Sequence, residues 1–301
     1  MKDARVAVPA EVVAPRASNG FADYVNLTKP RLNFLVVASS AAGYYLGARG
    51  GVDAWRMVEA VVGTALVAGG AAVLNQVYER DTDGLMRRTR GRPLPDGRVG
   101  PADAALFGTA LSLAGLALLA ARANPLAALL ALTTLVVYLA IYTPMKRRTP
   151  LATLVGAVPG ALPPLIGWTA SRGAIDAGGA ALFAIVFLWQ IPHFMAIAWM
   201  YRDDYASAGF PMLPVIEPDG RRAGRQAAVY AAALLVASLM PTVAGVAGRV
   251  YLAVAVVLSL ALLGLSARFA STRSDQSARR LFFASITYLP LLWIAMIGDK
   301  L

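Results

Sequence analysis

The most polar stretch attached to any apolar run is LNQVYERDTDGLMRRTRGRPLP, residues 74–95. Within it Asn75, Glu79 and Asp83 are spaced i, i+4, i+8. At about 100° per residue they drift only about 40° per step, so a helix would stack them on one face, about 6 Å apart along its axis. Oxygen ligands without His or Cys suit a hard cation, and Mg²⁺ takes one or two carboxylates together with substrate phosphate oxygens. Arg87, Arg88 and Arg92 follow directly, and guanidinium forks match the outer oxygens of a diphosphate. Such a charge run is ordinarily a solvated loop whose acids and bases neutralise each other. Here the polar face begins inside an apolar helix, at Asn75, which costs free energy in lipid unless something uses it.

A second acidic cluster, Asp203 and Asp204, lies in WMYRDDYASAGFPMLP, four apolar runs after the first. Both clusters follow even-numbered runs and therefore leave the membrane on the same side, where each can hold metal on one side of a diphosphate. Alone, an Asp-Asp pair is a weak signal. Lys146, Arg147 and Arg148 share that side and serve as further phosphate ligands or as plain membrane anchors. His193 sits inside an apolar run, in WQIPHFMAIAW, about 10 residues or 15 Å of helix before the Asp pair. It reads either as a hydrogen-bonded core residue or as a ligand or proton carrier, imidazole being a good haem-iron ligand.

The elements that must position these groups are long apolar helices. Runs near 32–49, 57–78, 102–121, 125–143, 151–170, 179–200, 226–247, 249–267 and 281–298 are each of spanning length at about 20 residues per crossing. They are unbroken instead of alternating, which excludes a barrel. The expected fold is all-α: a polytopic bundle of about nine transmembrane helices around a central cavity. Charged residues make up 15% of the chain and hydrophobic ones 58%, against about 25% charged in soluble domains, so the main partner is the lipid bilayer. The absence of cysteine excludes disulfides and thiolate metal sites, and a lone histidine excludes bis-histidine haem within one chain. The net charge of +11 is dispersed between apolar runs, which argues against nucleic acid. All but six of the 28 Lys and Arg (Arg49, Arg56, Arg122, Arg172, Arg249, Lys300) fall on the N-terminal side of such a bundle. The positive-inside rule then makes the N-terminus cytoplasmic and, nine being odd, the C-terminus periplasmic. Residues 1–27 have no signal-peptide core and read as a disordered cytoplasmic tail, with 28–301 as a single membrane domain.

Taken together, Asn75-x-x-x-Glu79-x-x-x-Asp83, Met86-x-Arg88-Thr89-x-x-Arg92-Pro93, the TKPR of Thr28 to Arg31, YTPMKRRT from Tyr142 to Thr149 and PHF from Pro192 to Phe194 resemble the intramembrane prenyltransferases related to 4-hydroxybenzoate polyprenyltransferase. Within them the closest resemblance is to the protohaem IX farnesyltransferase branch. The resemblance implies Mg²⁺ as cofactor, farnesyl diphosphate and haem B as substrates, and haem O and diphosphate as products. It makes Asn75, Glu79, Asp83 and Asp204 catalytic, with Asp203 beside them as a metal ligand. It assigns the diphosphate to Lys29, Arg31, Arg87, Arg88, Arg92, Lys146 and Arg147, and haem to His193. It further implies a bacterial inner membrane and association with haem-handling or oxidase-assembly proteins. Two departures stand out. The superfamily's second motif is D-x-x-x-D, whose first Asp falls on Met200 here, and Glu79 replaces the commoner Asp of the first motif. Competing readings are a sister enzyme with an aromatic or quinone-precursor acceptor and a transporter whose acids carry coupling ions. Acids at helix exits, crowded by arginines, fit a transporter poorly.

Overall fold

A computed structural model describes residues 20–301. Its helices are α1 (Phe21–Leu27), α2 (Pro30–Gly47), α3 (Ala54–Leu85), α4 (Pro101–Leu118), α5 (Pro125–Val136), α6 (Thr143–Met145), α7 (Ala152–Arg172), α8 (Ala177–Met200), α9 (Arg202–Ser207), α10 (Leu213–Ile216), α11 (Arg221–Ala237), α12 (Met240–Val243), α13 (Arg249–Thr272) and α14 (Asp275–Gly298). Two π-helical segments, Leu119–Ala123 and Val137–Tyr142, extend α4 and join α5 to α6. Their starts follow from local chemistry. Proline stands in the first turn of α2, α4 and α5, where its missing N–H costs nothing. Asp53 accepts from the N–H groups of Trp55 and Arg56 at 3.1 Å each to cap α3, and Ser274 with Ser277 forms a capping box on α14.

Among the described residues the chain makes nine long helical runs that overlap the expected ones, α3 ending at Leu85 instead of 78 and α14 starting at Asp275 instead of 281, and no strand beyond an isolated bridge between Ala247 and Lys300. Seven are long and apolar enough to cross a membrane by their own composition. The other two are α2, whose first turn carries Arg31 and Asn33, and α7, which carries Pro159, Pro163 and Pro164. They cross so closely that a methyl on Gly43 would strike the backbone of Pro164, and one on Gly167 the carbonyl of Ser40. Small residues stand at this contact, which lets the two backbones approach. The α3–α4 seam is built alike, with Gly63 and Gly70 set against Gly115 and Gly108. Outward-facing Leu106, Leu113, Phe283 and Ile294 are more than half exposed, a surface that suits lipid and not water.

Phe21–Leu27, assigned to the tail by sequence, is helical; its Asp23 is buried and pairs with Arg98 of the loop between α3 and α4. Residues 1–19 of the expected tail lie outside the described residues. At the other end, the Lys300 ammonium donates to the carbonyls of Tyr45 and Ala48 at 2.6 and 2.9 Å, satisfying the last turn of α2.

Candidate functional site

Asn75, Glu79 and Asp83 lie on one face of α3, which runs straight through the polar stretch to Leu85, and all three are buried. Burying polar groups is tolerable only with partners. The Asn75 amide donates to the Thr143 hydroxyl at 3.0 Å, and the Tyr138 hydroxyl donates to the Asn75 carbonyl oxygen at 3.4 Å. Both partners come from the π-helical turn and its junction with α6, where the widened backbone lets Thr143 also donate to the Tyr138 carbonyl at 2.7 Å. The Lys146 ammonium sits against the Glu79 carboxylate, 2.7 Å from Oε1 and 3.0 Å from Oε2. Arg92 Nη1 meets Asp83 Oδ2 at 2.7 Å, and the Thr89 hydroxyl donates to the Asp83 carbonyl at 2.7 Å, folding the chain back after α3.

Lys29 is the third cation of this group. It occupies the left-handed region, φ 50° and ψ 57°, at the turn from α1 into α2. Its ammonium is pushed down to about 7, first by burial and then by Arg92 and Lys146, which Glu79 and Asp83 only partly offset. Arg92 and Lys146 are thus matched by Asp83 and Glu79, while Lys29, about half charged near pH 7, has no anion of its own among the described residues. Glu79 Oε1, although close to Lys146, is buried and accepts no directed hydrogen bond. A buried carboxylate held by one ammonium suits a hard cation such as Mg²⁺ once that ammonium turns to another anion.

The second cluster is brought to the first by an apolar clasp of Met86, Ala198, Ala208, Phe210 and Met212. Arg88 crosses the gap, its guanidinium 5.1 Å from the ring centre of Tyr201 and 5.8 Å from that of Tyr205. Lys146 lies 5.1 Å from the ring centre of Phe210. Asp203 is exposed and Asp204 half-buried on α9, and among the described residues neither carboxylate has a basic partner. Three or more His, Asp or Glu do not converge into a self-sufficient metal cage among the described residues. Any ion held here would take part of its shell from substrate oxygens.

His193 is gripped on α8. Its ring stacks on Trp189 at 5.1 Å and on Phe282 at 5.2 Å, and Nδ1 lies 2.8 Å from the Ser285 hydroxyl of α14. The continuous helix expected between His193 and the Asp pair is broken: α8 ends at Met200, and Asp203 and Asp204 belong to the separate helix α9.

The profile of the UbiA prenyltransferase family matches residues 36–287. The chain belongs to this family. A protoheme IX farnesyltransferase of Solibacter usitatus is 46% identical over 287 residues, covering 92% of this chain and 98% of that one. Among solved structures, a digeranylgeranylglyceryl phosphate synthase aligns with TM-score 0.79 at 16% identity, over 92% of this chain and 97% of that one. A UbiA homologue from Archaeoglobus fulgidus bound to GPP and Mg²⁺ aligns with TM-score 0.66 at 19% identity, over 92% and 99%.

Within this UbiA-family fold, the residues singled out by sequence separate into two groups. Asn75, Glu79, Asp83, Lys29, Arg92 and Lys146 converge, and Arg88 bridges to the second cluster. Arg31, Arg87 and Arg147 are exposed and, among the described residues, pair with no acid. Sequence reasoning missed Tyr138 and Phe210, and read Tyr142 and Thr143 only as part of a motif. The one available signal was YTP immediately before the MKRR basic run.

Proposed function

We propose that this chain transfers a farnesyl group from farnesyl diphosphate to a vinyl group of haem B, with addition of water, giving haem O and diphosphate. The reading is supported by relatives that carry the name protoheme IX farnesyltransferase and cover nearly the whole chain. The observation that carries it is the gathering of three bases, Lys29, Arg92 and Lys146, around the two acids Glu79 and Asp83, which leaves Lys29 to take its charge from an incoming anion. A buried cluster of this kind is complementary to a diphosphate, and more so as negative charge accumulates on the departing oxygen.

Mg²⁺, held by Asn75, Glu79 and Asp83 with Asp204 and Asp203 facing it, would supply further charge neutralisation for the leaving group. Lys29, Arg92 and Lys146 hold the diphosphate oxygens, and Arg88 closes the site from the side of α9. Release of Lys146 from Glu79 and of Arg92 from Asp83 frees carboxylate oxygens as the substrate's phosphates take over the cations. The apolar wall of Tyr138, Tyr142 and Phe210 keeps water from the allylic cation until the haem vinyl carbon attacks it. His193 serves haem: an imidazole on the iron orients the porphyrin so that one vinyl edge faces the prenyl chain. The proposed setting is the bacterial inner membrane with the N-terminus cytoplasmic, as the distribution of basic residues suggests.

The deciding experiment follows diphosphate release from farnesyl diphosphate by the purified protein with Mg²⁺, offering haem B or 4-hydroxybenzoate as acceptor. Haem-dependent release with formation of haem O is expected. Release that depends on the aromatic acid and ignores haem would overturn the acceptor, and no release with either would overturn the enzyme. In a companion assay, His193→Ala should weaken haem binding and change its Soret band while leaving the KM for farnesyl diphosphate nearly unchanged.

A further inference from the structure

The haem-facing role of His193 requires one particular ring nitrogen to be open, and the hydrogen bonds around it select which. Ser285 is fully buried on α14. Its hydroxyl lies 2.6 Å from the Phe282 carbonyl one turn back and 2.8 Å from His193 Nδ1. A hydroxyl has one proton, and a carbonyl oxygen can only accept. The serine proton is therefore committed to Phe282, and the serine oxygen faces His193 as an acceptor. Nδ1 must be the donor in that pair, which leaves the Nε2 lone pair pointing away from Ser285. Among the described residues Nε2 has no hydrogen-bond partner.

The rest of the surround fixes the ring as well as the proton. Trp189, one turn before His193, donates its indole N–H to the Ser285 carbonyl at 2.7 Å, so α8 holds the same serine by its backbone and its hydroxyl. The imidazole lies nearly parallel to Trp189 and Phe282, at interplanar angles of 18° and 21°. The two stacks fix the ring plane, and the hydrogen bond to Ser285 selects which edge of the ring faces α14.

We infer that Ser285 is a positioning residue which holds His193 as its Nδ1–H tautomer, with Nε2 aimed outward as the ligand for the iron of the haem substrate. This rests on the proposed acceptor. A partner of this kind on the non-ligating nitrogen fixes ring orientation and raises ligand basicity, and its removal typically costs 10–100-fold in affinity for the metal. Serine is well suited because it combines a small volume with the ability to receive at one position and donate at another.

Two measurements test it on the full chain in detergent. The first needs no substitution: His193 is the single histidine, so ¹⁵N-histidine labelling reports one imidazole. Above pH 7 the expected spectrum has Nδ1 at a protonated shift and Nε2 at a lone-pair shift. The reverse pattern, or an average of the two, would overturn the inference. The second is a haem B titration. Ser285→Ala should weaken haem affinity about tenfold and shift the iron–imidazole stretch, with the KM for farnesyl diphosphate unchanged; Ser285→Thr, which keeps a hydroxyl, should restore most of both. If His193→Ala alters the bound haem spectrum and Ser285→Ala does not, or if alanine and threonine behave alike, Ser285 has no positioning role. If His193→Ala itself leaves the haem spectrum unaltered, the haem-facing reading fails first, and the tautomer result still reports separately on Ser285.

Discussion

Lys29 should make substrate binding depend on pH above neutrality. Without substrate its ammonium stands at about 7 instead of 10.5, because burial, Arg92 and Lys146 all disfavour the charge. A diphosphate placed among these cations supplies the missing anion and returns Lys29 toward its ordinary value. The group is depressed in the free protein and raised in the complex. Binding is therefore strongest below pH 7, where Lys29 is already charged, and weakens as pH rises through 7. At pH 8.5 only about 3% of the free protein carries the ammonium, so each molecule of diphosphate bound takes up close to one proton. Each pH unit above 7 costs about 1.4 kcal/mol, or about tenfold in Kd, until the bound-state value is reached. Calorimetry of farnesyl diphosphate binding between pH 7.5 and 9, in two buffers of different ionisation enthalpy, measures both slope and proton count. In that range the substrate's own phosphates, with a second pKa near 6, are already ionised. Lys29→Met should bind more weakly near pH 7 but lose the slope. A flat Kd in the native protein with no proton uptake would refute the electrostatic account.

Asp83→Asn should lower turnover at least a hundredfold while the amide still accepts from Arg92, so a monodisperse protein is expected; Asp103→Asn, an exposed acid outside both clusters, should be near native under saturating Mg²⁺. Equal activity of the two variants would remove the metal role of Asp83. Gly167→Ala should abolish or strongly destabilise assembly, by about 3 kcal/mol or more, because its methyl lands on the Ser40 carbonyl, and thermal unfolding in detergent would read it. Gly264→Ala, with open space around it, is the matched control and should be close to neutral. Reporter fusions should place Leu301 on the side opposite the N-terminus; activity of a cytoplasmic reporter at Leu301 would refute the topology.

The long helices and the Asn75–Glu79–Asp83 face were legible because helical period alone decides them. Which basic residues would join that face was not. Arg87 and Arg92 are equally plausible phosphate ligands by spacing, but the turn held by Thr89 and Asp83 brings Arg92 back and leaves Arg87 outside. Tyr138 and Thr143 reach Asn75 from residues more than 60 positions away, a distance at which local pattern carries no information. The π-helical turn that presents them has no sequence period of its own. The single helix expected between His193 and the Asp pair is interrupted for a similar reason: α8 ends at Met200, and the acids stand on a new helix, α9. Ser285 is an unremarkable small residue in an apolar helix until α8 is laid beside it.

The contact of Lys300 with the end of α2 joins positions 255 and 252 residues apart, which gives the molecule a clock. At about 5–20 residues per second, the ribosome delivers Lys300 some 13–50 s after Tyr45. For all of that time the Ala48 carbonyl must rely on water or the insertion machinery for a donor, and the Tyr45 carbonyl has only the Ala48 N–H at 3.3 Å. Closure of the last turn of α2 by Lys300 therefore comes only after α3 to α14 have been made, and quality control that samples the protein earlier in synthesis meets an open form that the folded structure does not show.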